Sequence, residues 1–310
     1  MTDIRFSVVI PTYNRARLIG RAVASVLEQS HACDEILVVD DGSSDRTQEI
    51  VRDMGGKVRL ILQEHGGPSR ARNRGVREAA SDWIAFLDSD DVWYKDHLEH
   101  IADAIVRTEG QAALYFCDVE YDYGTYRSGY WATIGYAPGA FVDLIRSASD
   151  IAMRGTHPML LPFTVIQREA YLRYGGLWEE LWAAEDTHLF IRMCLHEAIC
   201  AVTSVGGVVT ADEADPANRL TIEHDSGTVK RWNGFVRMYQ HLLATEKDAL
   251  PAVRREFERR LALGYWRIAR LNWHERKGES CRALLSSLRT DARVVPGVMR
   301  DAWERWRRGV

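Results

Sequence analysis

The chain has 310 residues, 46% hydrophobic and 27% charged, which is enough for a substantial core in one large domain or two modest ones. Net charge is −4 and the pI is near 6.2. A nucleic-acid binder carries a basic excess, so no nucleic-acid partner is expected. Five scattered cysteines without a CxxC pair, no signal-like leader and no membrane-length apolar run predict a reducing, cytoplasmic setting.

The first stretch, FSVVIP (6–11), is β-branched and apolar, and Pro11 is expected to end it. A helix follows over 15–30, with Leu18, Ile19, Ala22, Val23, Val26 and Leu27 on one face. EILVVDD (35–41) is a second apolar strand, and Ser43-Ser44-Asp45 supply cap-type residues for a helix through Asp53. VRLILQE (58–64) is a third strand, SRARNRGVREAAS (69–81) a polar-faced helix, and WIAFLD (83–88) a fourth strand. Asp91 is expected to open the helix that continues over 96–108. Apolar strands separated by helices predict a parallel, doubly wound α/β sheet, whose ligands bind beyond the carboxyl ends of the strands.

After residue 110 the pattern loosens. ALYFCDVEYDY (113–123) reads as a strand and 124–139, rich in Gly and Tyr, as a loop or hairpin. A strand over 160–166, a helix over 168–176 and a stronger helix over 183–197 follow. Residues 211–228 are polar and loop-like, and the chain from 229 onward is helical in pattern and rich in Arg. These shifts divide the chain into 1–110, 111–228 and 229–310.

Three strand ends carry unusual chemistry. Asp88, Ser89, Asp90 and Asp91 follow the fourth strand. Side-by-side carboxylates suit a hard divalent cation, Mg2+ or Mn2+, bridged to phosphate oxygens, and they equally suit a helix start. Asp40 sits where its carboxylate can accept from a ligand N–H, while Asp41, Ser43 and Ser44 suit a capped turn. In VVIPTYNR, Tyr13 can stack on a base and Arg15 can pair with phosphate.

VVIPTYNR, ILVVDDGSSDRT, GGPSRARNRG, IAFLDSDD and GGLWEELWAAEDTHLFIR occur in this order over roughly residues 5–225. Together they resemble the signature blocks of the family 2 glycosyltransferases. The resemblance implies the GT-A fold: a Rossmann-like, mostly parallel sheet covered by helices on both faces, here with a helical C-terminal extension. It implies a nucleotide-sugar donor, a UDP-sugar first, and a carbohydrate or glycoconjugate acceptor. Pro11, Thr12, Tyr13, Arg15, Asp40, Arg72, Asp88 and Ser89 would hold the nucleotide. Asp90 and Asp88, with the late His224, would hold Mn2+ or Mg2+. Asp186 would be the general base of an inverting transfer, supported by Glu185. Two blocks depart from the usual form: Leu177-Trp178-Glu179 stands where FDE is common, and Thr187-His188 where WD is common. Both changes weaken any inference about the acceptor. Trp178 and Trp182 fit either a sugar platform or core filling, and His157 is the other histidine of interest on that side. The tail over 294–310, with Trp303, Trp306 and four arginines, suits peripheral membrane contact or packing on the catalytic domain. The rival functions are a non-catalytic sugar-nucleotide or glycan-binding module and a phosphatase using the DxD pair.

Overall fold

A computed structural model describes residues 4–122, 127–181, 183–210, 228–273, 276–291 and 294. The chain divides into two compact units, residues 1–179 with 189–214, and residues 180–188 with 215–310.

The first unit begins as the sequence predicts. Strands β1 (Phe6–Thr12), β2 (Glu35–Asp40), β3 (Val58–Leu62) and β4 (Trp83–Phe86) alternate with helices α1 (Ile19–Leu27), α2 (Thr47–Met54) and α3 (Pro68–Glu78). The strands pair in parallel in the order β3-β2-β1-β4. Every residue of β1 is buried, as expected of a strand covered on both faces. Pro11 does not end β1: it pairs with Val39, and the strand runs on to Thr12 beside Asp40. Pro11 lacks only the N–H, so its carbonyl side still accepts a neighbour.

Asp91 does not open the next helix. It is buried and leads into a two-residue strand, β5 (Val92–Trp93), and α4 begins at His97 and ends at Arg107. Two apolar residues directly after the acidic run are drawn to the sheet, so the helix waits for Asp96.

Beyond α4 the sheet becomes mixed. It adds β6 (Leu114–Asp122), β7 (Arg127–Gly129), β8 (Val142–Ile145), β9 (Thr164–Gln167) and β10 (Ile199–Val209), and the main path closes as β4-β9-β6-β10-β5. β9 runs antiparallel to both β4 and β6, whereas β6 and β10 are parallel. The Gly- and Tyr-rich stretch supplies the hairpin strand β7 and the short helix α5 (Tyr130–Ile134). α6 (Ser149–Ala152), α7 (Arg168–Arg173) and α8 (Glu185–His196) complete the middle of the chain. Among the described residues the second unit holds three long helices, α9 (Val229–Thr245), α10 (Pro251–Asn272) and α11 (Lys277–Thr290).

One close approach explains a sequence feature. A Cβ on Gly75 would lie 2.4 Å from Val9 Cγ1 and 3.3 Å from Val39 Cγ2. Only glycine lets α3 lie that near β1 and β2, which brings Arg72, one turn earlier, over the strand ends.

Candidate active site

The end of β2 separates two adjacent carboxylates. Asp41 is saturated by the loop it organises: Gln63 Nε2 donates at 2.6 Å, and the backbone N–H groups of Gly66 and Gly67 donate at 2.9 and 2.8 Å. Asp40 is also fully buried, and its Oδ1 accepts from Ser43 N and Gln48 Nε2. Its Oδ2 has no hydrogen-bond partner, and neither does the buried Oγ1 of Thr12 beside it in the register. Buried acceptors are ordinarily satisfied, so an open carboxylate oxygen at a strand end is what a ligand N–H would fill.

Around these groups the β1 and β2 loops are tied together. Asn14, at φ 51°, donates its N–H to Ser43 Oγ and accepts from Ser44 N on its Oδ1. Arg15 N donates to Thr47 Oγ1. Tyr13 is partly exposed and stacks on His65 with centroids 4.3 Å apart, leaving an aromatic surface at the same rim.

The turn after β4 gathers the acidic cluster. Ligand oxygens of Asp88, Asp90 and Asp91 all lie within 4.8 Å of one another. Two arginines lie against them: Arg72, buried, donates to Asp88 Oδ1, and Arg15 Nη2 lies 3.8 Å from Asp90 Oδ2. Asp91 is the buried member, and burial, reinforced by the charges of Asp88 and Asp90, pushes its carboxyl well above the usual range. Ser89 is buried between them. Three converging carboxylates form the all-oxygen donor set that Mg2+ or Mn2+ prefers, so the residues present fit such an ion. Asp91 belongs to this set, which the expectation of a helix cap missed; its position directly after DxD was the available signal.

A clamp fixes the cluster's backbone. Thr210, the residue after β10, donates its N–H to Asp91 Oδ1 at 3.1 Å and its hydroxyl to the Asp90 carbonyl. Arg21 of α1 donates to the same carbonyl at 3.1 Å and to Thr210 Oγ1 at 2.6 Å. Asn73 plays a comparable part for the Gly-Gly block. Its Oδ1 accepts from Leu177 N and Tyr171 Oη, and its Nδ2 donates to the Leu177 carbonyl and Glu179. Gly176, at φ 70°, passes so close that a Cβ would sit 2.5 Å from Asn73 Oδ1. Thr210, Arg21 and Asn73 were not singled out in the sequence, because their partners lie far along the chain and no local spacing marks them.

Glu185 and Asp186 form the first turn of α8, in the second unit, and Asp186 Oδ1 accepts from Thr187 N and Oγ1. Ala184 before them is left-handed, φ 67°, which fixes how the chain enters the helix. Trp178 is half-buried, and His157 is buried with its carbonyl accepting from Tyr130 Oη. His224, Trp182, Trp303 and Trp306 lie outside the described residues. All five cysteines are free, and four are buried. Among the described residues no helix is long and apolar enough to cross a membrane.

A family model described as "Glycosyl transferase family 2" matches residues 7–166. Amylovoran biosynthesis glycosyltransferase AmsB of Erwinia amylovora is 42% identical over 117 residues, 36% of this chain and 39% of that protein. An Escherichia coli relative, UDP-Glc:alpha-D-GlcNAc-diphosphoundecaprenol beta-1,3-glucosyltransferase WfgD, is 39% identical over 101 residues, 32% of this chain and 40% of that protein. The matched stretch spans less than half of either relative. Among solved structures, S. aureus TarS in complex with UDP-GlcNAc superposes with a TM-score of 0.64 at 20% identity, over 92% of this chain and 80% of that one. The mannosyltransferase PcManGT from Pyrobaculum calidifontis, in complex with GDP-Man and Mn2+, gives 0.59 at 21% identity, over 98% and 82%. At these identities the likeness concerns the fold, which is the expected GT-A arrangement of a central sheet flanked by helices with a helical C-terminal region.

Proposed function

Because the chain belongs to glycosyl transferase family 2, we propose that it moves a sugar from a UDP-sugar to a hydroxyl of a glycan, lipid-linked or small glycoside acceptor, with inversion. The observation that carries this reading is the pairing of two features on one sheet rim. One is the open, buried carboxylate oxygen of Asp40, and the other is the three-carboxylate cluster flanked by Arg15 and Arg72.

Each group then has a role in donor binding. Asp40 Oδ2 accepts the N–H of a uracil ring, and Tyr13 offers the base a face to stack on. Thr12 Oγ1 and the Pro11 turn line the base or ribose side. Asp90, Asp88 and Asp91 hold the divalent cation, Mn2+ or Mg2+, and Ser89 lies between them. Bound there, the cation neutralises charge on the diphosphate. Arg15 and Arg72, now paired with Asp90 and Asp88, are placed to exchange those carboxylates for phosphate oxygens. His224 is a further candidate ligand from the polar stretch that begins one residue beyond the Thr210 clamp.

For the acceptor step we assign the base to Asp186. Support comes from its place in the Glu185-Asp186 pair that opens a helix, where the family resemblance puts the base. Its carboxylate would take the proton from the attacking hydroxyl, with Glu185 positioning it. The lipid-linked diphosphate named for the Escherichia coli relative makes such an acceptor a reasonable first substrate to try.

Asp186→Asn tests the assignment without a known acceptor, because water can stand in for it. The variant should bind UDP as the wild type does, while UDP release from its UDP-sugar falls at least roughly a hundredfold, as loss of a general base predicts. Near-normal release would remove Asp186 from the base role. Phosphate released from simple esters, with no sugar nucleotide present, would favour the phosphatase instead.

A further inference from the structure

Residues 228–310 carry 19 Lys and Arg against nine Asp and Glu, in a chain whose net charge is −4. The described part of this segment sorts those charges by exposure. Ten cations are exposed: Lys230, Arg237, Lys247, Arg255, Arg259, Arg270, Arg276, Lys277, Arg282 and Arg289. Asp248 is the one exposed acid among the described residues there. Glu256 is drawn in by Arg259 and Arg260, and Glu246 and Asp291 are buried.

The cations lie on defined stripes. At 100° per residue, Lys277, Cys281, Arg282, Leu285 and Arg289 occupy about 140° of the α11 surface, opposite its buried Ser280, Ala283 and Ser287. All five are exposed, and no acid shares the arc. On α10 the corresponding stripe runs through Arg255, Arg259, Trp266 and Arg270 and continues to Trp273, again without an acid. Arg270 and Arg267 lie over the Trp266 ring at 5.7 and 5.4 Å. The two helices are fastened side by side, Ser280 Oγ donating to the Ala269 carbonyl and Ser287 Oγ to that of Ala262.

Large apolar side chains stand among these cations. Trp273 is 51% exposed and Leu285 52%. A dissolved polyanion would satisfy the arginines and leave these groups in water. A bilayer satisfies both, since anionic headgroups meet the cations while Trp and Leu enter the boundary between headgroups and acyl chains. We propose that the α10–α11 face docks on an anionic lipid surface. The contact goes beyond the donor chemistry and does not depend on it.

The test is co-sedimentation of the full chain with vesicles of phosphatidylcholine alone and of phosphatidylcholine mixed equally with phosphatidylglycerol. The wild type should pellet with the mixed vesicles only, and rising salt should release it. The doubly reversed R282E/R289E variant should bind at least roughly tenfold more weakly. Trp273→Ala should bind more weakly at every salt concentration, with UDP binding unchanged in both variants. A thermal midpoint read in parallel separates a lost surface from a lost fold, and the wild-type salt dependence needs no variant. Wild type that ignores both vesicle types, binds both equally, or is matched by R282E/R289E would overturn the proposal. So would binding to an oligonucleotide without binding to vesicles.

Discussion

Asp40 and Asp41 are neighbours with opposite duties. Asp41 spends its acceptors on Gln63, Gly66 and Gly67, whereas Asp40 keeps Oδ2 open. Asp41→Ala strands those buried donors and should cost about 1–3 kcal/mol in urea unfolding. Asp40→Ala should leave stability closer to wild type and weaken UDP at least tenfold; the reverse ranking would interchange the roles. His97 gives a second residue-scale test. It is fully buried against Trp93 and Cys117, and burial, helped by His100, drives its pKa down to about 3. Its neutral form is the folded one, so its contribution to stability is complete above pH about 6.5. As pH falls below that value only the unfolded chain takes up the proton, at about 1.4 kcal/mol per pH unit until pH approaches 3. His97→Leu should therefore flatten the loss of stability between pH 7 and 5, as read by urea unfolding at each pH. A variant with an unchanged slope would show that other groups set it.

At the scale of elements, α3 is placed by glycine. Gly75→Ala gains helix propensity but drives a methyl into Val9 and Val39. Overpacking should win, with a net loss of about 1–3 kcal/mol and weaker nucleotide binding as Arg72 shifts. A stabilised variant would mean that the helix can slide without disturbing the rim. The parallel half of the sheet was legible because β1 to β4 are mostly apolar and three of them, β1, β2 and β4, end in recognisable chemistry. β8 and β10 were not. VDLI is short and exposes part of its surface, and the glycines of TSVGGVV interrupt the β10 pattern that its neighbours complete. Gly207, whose Cβ would meet Val92 O at 2.2 Å, marks where β5 crowds against β10, a contact that no local pattern announces. The site divides in the same way. Residues whose type carries chemistry, such as Asp40, Arg72, Asp88 and Asp90, could be read from the sequence. Thr210 and Arg21 hold the turn at Asp90, and Asn73 holds Leu177, through contacts 69 to 120 positions distant, which only the folded chain reveals.

For the whole molecule, the turn after β4 gathers converging carboxylates, and the described residues of 228–310 expose ten cations against one acid. That contrast suits a division of labour, with the donor held in the sheet domain and the helices turned to an anionic surface. We propose that Asp88, Asp90 and Asp91 form the metal-assisted nucleotide site of this family 2 glycosyltransferase. Calorimetric titration of UDP, with and without Mn2+, into the wild type and Asp90→Ala tests it most directly. UDP should bind the wild type at least tenfold more tightly with Mn2+, and Asp90→Ala should lose that gain while melting near the wild-type temperature. UDP binding that ignores Mn2+, or an Asp90→Ala protein that keeps the full Mn2+ response, would contradict it.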